Sequence, residues 1–377
     1  MRWRFSPLIL VMLAPGQVCA QRLTVDQFHH MLESRTAAHK SDADITRKVE
    51  AVELTEELTA PTLDKIKGEL RIGPKTALAL DLLSEISMSL DPPANEVPAK
   101  DPPDKAARAA MVREVIDFAA VTMHRMPDFL ANRTTRSFNN RPMVVSDTGW
   151  SPAETEMHMA GSYTDQITYR DGKEVSDATV PASAAKGESL RSGLTTTGEF
   201  GPVLALVLTD SLNGAMTWSH WERMASGLAA VFHFTVPESA SHYAVNFCSL
   251  HFPLMASYRH INDDAEAKTR CYNGTPSYHG SLAMDPATGA VLRIAIESDL
   301  PTAAHIQRAG ISVTYADVEI GDRSYVCPAR SVAITLVRYP ATFKSPSRTV
   351  LTVNETAFTD YHRFGSTARI VTNVPTN

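Results

Sequence analysis

The spacing of apolar residues changes along the chain and divides it into a helical part and a strand part. From Leu23 to about Met126, apolar residues recur at steps of three and four, which is the period of an amphipathic helix. Beyond about Met143 they alternate with polar residues, which is the period of a half-buried strand. The pattern predicts an α+β protein in which a helical region precedes a mainly antiparallel sheet, flat or curved into a half-barrel, with one inserted helix.

Two segments of the N-terminal part carry the helical pattern most clearly. In residues 42–58, Asp42 or Asp44 would cap a helix. Its apolar stripe would consist of Ile45, Val49, Val52 and Leu54. In residues 74–90, Pro74 suits the first turn of a second helix. Its stripe would consist of Leu78, Leu82, Leu83 and Ile86. Residues 21–90 are therefore predicted to form a helical domain.

Residues 91–104 contain five prolines among fourteen residues, which favours an extended path over a helix. We interpret them as a stiff connector. A further helix is predicted over residues 105–126, and a linking segment then runs to residue 142. Within that segment Arg133, Arg136 and Arg141 could grip an acidic group, although a solvated loop explains them equally well.

The sheet domain is assigned to residues 143–377, where tight turns separate alternating strands. "DPATG" places Asp285 at the start of a turn and Gly289 where a positive φ is allowed. Apolar residues on both sides of this turn would share one buried face. They are Leu282, Met284, Leu292, Ile294 and Ile296. Asp171-Gly172 and Gly321-Asp322 indicate two further hairpins.

One apolar segment within the sheet domain favours a helix. Thr197 could cap it, Pro202 suits its first turn, and Gly214 could end it. Its buried face would consist of Phe200, Leu204, Val207 and Leu208. A buried strand of the same composition is the alternative.

The chain begins like an exported protein. Arg2 and Arg4 precede an apolar run, and Ala20 follows at a small-residue cleavage position. We therefore predict a signal peptide over residues 1–20, a periplasmic or secreted location, and no transmembrane anchor after cleavage. The net charge of −6 gives no support for nucleic acid as a partner.

Candidate reactive groups are numerous, but few of them form a recognisable pattern. Export permits a disulfide between Cys248 and Cys271, or two free thiols. Cys327 is interpreted as a small apolar residue in a strand. Six histidines fall within sixty residues, yet no metal site is predicted because His-x-His and His-Glu-x-x-His motifs are missing from the sequence. No cofactor is predicted, because nucleotide-binding glycine motifs are missing as well.

Three stretches of the C-terminal part carry a resemblance to a known family. They are "YHGSLAMDPATGAVLRI", "YADVEIGDRSYVCPARSV" and "FTDYHRFGSTARI". Residues 218–370 resemble the periplasmic lipoprotein-carrier proteins of the outer-membrane lipoprotein-sorting class. The whole chain also resembles uncharacterised secreted proteins of acidobacteria, which indicates a location but no activity. The resemblance to the carriers implies an incomplete barrel around an apolar cavity that is plugged by helices and holds acyl chains.

This resemblance leads to a functional hypothesis. The protein would be an exported cell-envelope protein, without catalytic activity, that binds a lipid or a lipoprotein acyl chain. The segment around residues 200–208 would be the plug. The candidate lining residues are Phe200, Leu204, Leu208, Trp218, Trp221, Phe232 and Phe234. Aromatic residues on sheets also commonly fill an ordinary core, so a structural module that binds an envelope protein is the first alternative. A secreted hydrolase is the second.

Overall fold

The computed structural model describes residues 21–140, 156–175, 193–194, 198–251, 268–339 and 348–363. The predicted signal peptide, Arg141 and Thr197 lie outside these residues. Within the described ranges, no helix combines the length and apolar character needed to cross a bilayer.

The N-terminal region contains four helices around one core. They are α1 (Val25–Ala37), α2 (Asp42–Glu50), α3 (Ala60–Glu69) and α4 (Pro74–Ser87). Two short strands, β1 (Gln21–Leu23) and β2 (Val52–Leu54), pair in parallel beside them. Phe28, Leu32, Leu58, Ile66 and Leu80 are fully buried in this core. Burial of these side chains supplies the main driving force for assembling helices of this length.

Two details of this region differ from the sequence-based prediction. Helix α2 ends at Glu50, so Val52 and Leu54 belong to β2 and not to a helical stripe. Ser41, not Asp42 or Asp44, is the N-cap of α2, and its hydroxyl accepts the backbone N–H of Asp44. The carboxylate of Asp42 instead accepts the backbone N–H groups at positions 75 and 76 and so caps α4. Helix α4 needs this distant cap because its own cap position is a glycine without a side chain.

Helix α5 (Lys105–Arg125) follows the connector, as predicted, and leads into the sheet. The strands after it are β3 (Phe129–Asn139), β4 (His158–Arg170), β5 (Lys173–Val175), β6 (Ala215–Met224), β7 (Gly227–Val236), β8 (Val245–His251), β9 (Lys268–Gly274), β10 (Tyr278–Met284), β11 (Val291–Ser298), β12 (Ile306–Ile320), β13 (Arg323–Tyr339) and β14 (Arg348–Arg363). Ten of them form one antiparallel sheet in the order β5-β4-β3-β14-β13-β12-β11-β10-β7-β6. The sheet is not closed into a barrel in the described part of the chain, and β8 and β9 pair separately.

Helices cover both faces of the sheet. Helix α5 and helix α6 (Pro202–Asn213) pack on one face, which we call the α6 face. Helix α4 packs on the other, the α4 face, through Leu82 against Phe138, Val332 and Val353. The predicted fold class is therefore confirmed: helices precede a mainly antiparallel sheet that contains an inserted helix.

The sheet begins earlier in the chain than the sequence pattern predicted. Residues Phe129–Asn139, interpreted as a linking segment, form β3 between β4 and β14. Arg133 contacts Glu174 at 3.1 Å, and Arg136 contacts Glu355 at 2.6 Å. These two arginines are therefore paired with acids on β5 and β14 and do not lie in a solvated loop. Alternating Thr, Arg and Ser residues concealed the strand, because its buried face is largely polar.

The predicted turn over residues 285–289 is confirmed. The carboxylate of Asp285 accepts the backbone N–H groups at positions 287 and 288, and Gly289 has a φ of +69°. Its flanking strands bury Leu282, Met284, Ile294 and Ile296 on the α6 face. Leu292 instead packs on the α4 face, because the β10–β11 register shifts between Ala283 and Met284.

The hairpin of β8 and β9 is crosslinked. Cys248 and Cys271 pair directly across the two strands and form a disulfide that closes a separation of 23 residues. Replacing both cysteines with serine is expected to lower the free energy of unfolding by about 3 kcal/mol, because the unfolded chain regains loop entropy. Urea denaturation checks this value. Dithiothreitol should destabilise the wild type by a similar amount and leave the double variant unchanged. A loss below about 1 kcal/mol would contradict the expectation.

Candidate functional site

An apolar cleft lies between α5, α6 and the α6 face of the sheet. Its lining comes from six parts of the chain. The lining residues are Phe118, Met126, Phe200, Gly201, Leu204, Val291, Tyr315, Val326 and Pro328. Ligand sites are commonly concave and mainly apolar with few polar groups, and this lining has that composition. The cleft borders the segment around residues 200–208, which the carrier hypothesis assigns as the plug.

The local sequence explains how α6 comes to border the cleft. Gly198 and Gly201 have φ values of +90° and +134°, which side-chain-bearing residues rarely adopt, and they turn the chain into the helix. Pro202 occupies the first turn, as predicted. Phe200 precedes the helix and does not lie on its face, which corrects the sequence-based assignment. Its ring packs against Phe129 at 5.4 Å and against Phe358 at 5.4 Å.

The polar group at the cleft is neutral. The hydroxyl of Tyr315 donates to the backbone carbonyl of Glu199 at 3.1 Å. Burial raises the pKa of Tyr315, and the nearby carboxylate of Glu199 raises it further, so the phenol stays protonated at physiological pH. The cleft therefore offers an apolar surface without a formal charge on its lining.

The cleft is narrow. About 330 Å³ of space lies between its side chains, open solvent at the mouth included, but only about 20 Å³ is wide enough for the centre of a water molecule. That smaller volume accommodates about one water molecule. A longer chain would enter only if α5 or α6 moved away from the sheet.

The seven predicted lining residues divide into two sets. Phe200 and Leu204 line the cleft. The other five lie in the adjoining core, where Trp218 packs against Trp221 at 4.9 Å and against Phe232 at 5.5 Å. That second set consists of Leu208, Trp218, Trp221, Phe232 and Phe234.

Sequence reasoning missed the remaining lining residues. Phe118 comes from α5 and Met126 follows the end of that helix, while Val291, Tyr315 and Val326 come from three strands. Each looks like an ordinary apolar residue of its own element. Only the packing of α5 against α6 brings them together, so no local signal could have identified them.

A buried aspartate fixes the C-terminal half of α6. The carboxylate of Asp210 accepts the backbone N–H of His242 at 2.9 Å and the hydroxyl of Tyr278 at 2.9 Å. The Nδ1 atom of His242 lies 2.6 Å from the same carboxylate. Asp210 thus anchors the C-terminal half of α6 to β10 and to the segment before β8. The N-terminal end of α6 instead begins at the turn of Gly198 and Gly201.

The histidines do not converge on one centre. His220 and His233 lie near Asp91, His242 lies at Asp210, and His279 lies 2.9 Å from Asp299. In the part of the chain that the structure describes, no group of three or more His, Cys, Asp or Glu residues is arranged to hold a metal ion. His260 lies outside that part.

Ser219 and Cys327, two candidate nucleophiles, are half-buried and fully buried, respectively. The hydroxyl of Ser219 lies 2.9 Å from Nδ1 of His220, but the pair is on the α4 face, away from the cleft, and the His220 side chain is 11% exposed. Cys327 is fully buried in β13, where desolvation raises the pKa of its thiol to about 12. A thiol with that pKa is inert near neutral pH.

Comparison of the chain with protein-family models, with curated proteins and with solved structures gives no match. The resemblance to lipoprotein carriers therefore stays a prediction. The geometry of the cleft is the basis on which function can be argued.

Proposed function

We propose that the protein binds an apolar chain in the cleft between α5, α6 and the sheet, and that it acts as a non-catalytic carrier. The observation that supports the proposal is the continuous apolar lining contributed by Phe118, Phe200, Leu204 and Val326. In an exported protein, which the first twenty residues predict, the ligand would be a lipid or a lipoprotein acyl chain.

The energetics favour a partly enclosed chain. Each buried methylene contributes about 0.8 kcal/mol, so six buried methylenes would contribute about 5 kcal/mol. Part of this free energy would be spent in moving α6 outward, because the cleft is narrow without a ligand. The turn at Gly198 and Gly201 is where such a movement could occur.

Replacing Leu204 with aspartate is expected to weaken binding of dansyl-undecanoic acid at least about thirtyfold. Leu204 is 3% exposed and lines the cleft, so the new carboxylate would be unpaired in an apolar site. Such a group costs about 2 kcal/mol or more, and each 1.4 kcal/mol is roughly tenfold in affinity. Fluorescence titration measures the affinity.

The chain offers a matched control on the same helix. Leu212 is 66% exposed, so Leu212→Asp should leave probe binding unchanged. Val326→Trp, at a half-buried position of the lining, should fill the cleft and block binding without placing a charge in the core. Equal binding by wild type and Val326→Trp would contradict the assignment of the cleft.

Native mass spectrometry of protein purified from its host, with lipid extraction alongside, tests the ligand class. A co-purifying acyl lipid would support the carrier function. If no lipid co-purifies and the wild type does not bind the probe, the carrier proposal fails, and a structural or protein-interaction module becomes the better explanation.

A further inference from the structure

A cluster of charged side chains lies on the α4 face, on the side of the sheet opposite the cleft. We call it the charged cluster, and it consists of Glu57, Asp91, His220, Glu222, His233 and Arg293. Arg293 contacts Glu222 at 2.7 Å and Glu57 at 3.4 Å. Nε2 of His233 lies 2.8 Å from the carboxylate of Asp91. The proposed carrier function uses none of these groups.

The charged cluster joins three parts of the molecule. Glu57 belongs to the helical region, Asp91 begins the connector, and the other four side chains belong to β6, β7 and β11. The backbone carbonyl of Asp91 also accepts the N–H of Glu57 at 2.8 Å. Glu96, further along the connector, accepts the hydroxyl of Thr62 at 2.7 Å.

The connector then passes the edge strand β6. The indole N–H of Trp221 donates to the carbonyl of Asp101 at 2.9 Å, and the ammonium of Lys100 lies 3.9 Å from the centre of the same ring. Residues 91–104 are thus fixed by the charged cluster at one end and by Trp221 near the other. Because Lys100 is itself held by Trp221, the chain around Lys100 becomes free only when a release at Asp91 extends to this second attachment.

Two groups of the charged cluster change charge near neutral pH. Burial raises the pKa of Glu57 from 4.5 to about 7; Arg293 opposes this rise, and the carboxylates of Glu222, Glu96 and Asp91 add to it. The hydrogen bond to Asp91 raises the pKa of His233 above 6.5. Raising the pH therefore removes a positive charge at His233 and adds a negative charge at Glu57.

Asp91, Glu222 and Arg293 keep their charges over this range. The hydrogen bond from His233 lowers the pKa of Asp91, with burial opposing it and His220 and Ser219 supporting it. Burial acts to raise the pKa of Glu222, but His220 and Arg293 outweigh it and leave the pKa lowered. Arg293 stays charged between its two carboxylates. In alkaline solution the charged cluster therefore contains three carboxylates, two of which contact its one guanidinium.

We propose that the charged cluster is a pH-responsive clasp that holds the connector against the sheet in mildly acidic solution and releases it in mildly alkaline solution. A raised pKa at His233 means that its contribution is complete below 6.5 and is lost as the pH rises through the folded value. Burial and the carboxylates of Glu96 and Asp91 on the connector raise the pKa of Glu57 to about 7, so its ionisation, which advances as the pH rises from 4.5 through about 7, repels the connector and disfavours the docked state. Both effects therefore favour release of the connector as the pH rises.

Trypsin cleavage after Lys100 in the full-length protein tests the clasp. The rate at each pH is divided by the rate for a synthetic peptide of residues 91–104, which removes the pH dependence of the protease. Cleavage of a transiently opened segment follows its opening equilibrium. Since one unit of pKa is tenfold in an equilibrium, we expect this ratio to rise about tenfold between roughly pH 6 and pH 8.5.

Three variants make the test specific. Glu57→Gln should flatten the rise, because the added negative charge is gone, and His233→Gln should raise cleavage at the acidic end. His279→Gln is the matched control: His279 pairs with Asp299 on the same sheet, outside the charged cluster, and its profile should equal that of the wild type. A flat wild-type ratio, or an equal change in His279→Gln, would overturn the proposal. Circular dichroism at each pH establishes that the sheet stays folded.

Discussion

Replacing Arg293 with methionine is expected to lower the free energy of unfolding at pH 8 by about 3–5 kcal/mol. The guanidinium is buried and lies between Glu222 at 2.7 Å and Glu57 at 3.4 Å. Methionine would leave both carboxylates in a low-dielectric environment without the guanidinium that contacts them. Urea denaturation measures the loss, which should be smaller near pH 5.5, where Glu57 already carries a proton.

Two further variants separate this effect from a simple loss of packing. Adding Glu57→Gln and Glu222→Gln to Arg293→Met should restore much of the stability, because the uncompensated charges are removed with the arginine. Arg323→Met, at an exposed position of β13, should stay within about 0.5 kcal/mol of the wild type. If the free energy of unfolding of Arg293→Met also changed by no more than about 0.5 kcal/mol, the ion pairs of Arg293 with Glu57 and Glu222 would contribute little to stability.

Replacing Gly289 with alanine is expected to cost about 2–6 kcal/mol, as the sum of about 1–3 kcal/mol of backbone strain and about 1–3 kcal/mol of overpacking. Gly289 has a φ of +69°, and a Cβ atom there would lie 2.4 Å from the backbone carbonyl of Glu114 in α5. The hairpin and the helix would have to separate. Thermal and urea unfolding of the variant measure the cost.

Substitution of a second glycine separates the cost of backbone strain from the cost of the close contact with α5. Gly172 has a φ of +77° in the β4–β5 turn, and a Cβ atom there would meet nothing within 4 Å. Gly172→Ala should therefore cost only the backbone strain, about 1–3 kcal/mol. Equal losses in the two variants would contradict the close approach of the hairpin to α5.

The turn that contains Gly289 shows what local sequence can predict. Asp285 and Gly289 identified their turn because a side-chain acceptor and a positive φ are requirements of a few neighbouring residues. The buried face of β10 followed from alternation for the same reason. Leu292 was assigned to the wrong face because a register shift between neighbouring strands leaves no mark in an alternating pattern.

Polar strands and distant caps were beyond the sequence pattern. The sequence pattern predicts a linking segment in place of β3, because the buried side chains of this strand include Thr135, Ser137 and Asn139, whose polar groups find partners inside the fold. The sequence pattern predicts that Asp42 caps α2. Its carboxylate instead caps α4 by accepting the backbone N–H of Lys75, which is thirty-three residues away in the sequence. In both cases the partner lies on an element that is distant in sequence.

The sequence by itself determined the fold class, the helix over residues 105–125, the tight turns and the apolar character of α6, because each depends on periodicity or on local backbone geometry. Tertiary structure alone decided the composition of the cleft, where Phe118, Leu204 and Val326 meet from three separate elements. It also decided that Glu57, Asp91 and Arg293 meet in one cluster on the α4 face. Such sites depend on which elements pack together, and that choice is made by the burial of whole faces and not by any motif within one of them.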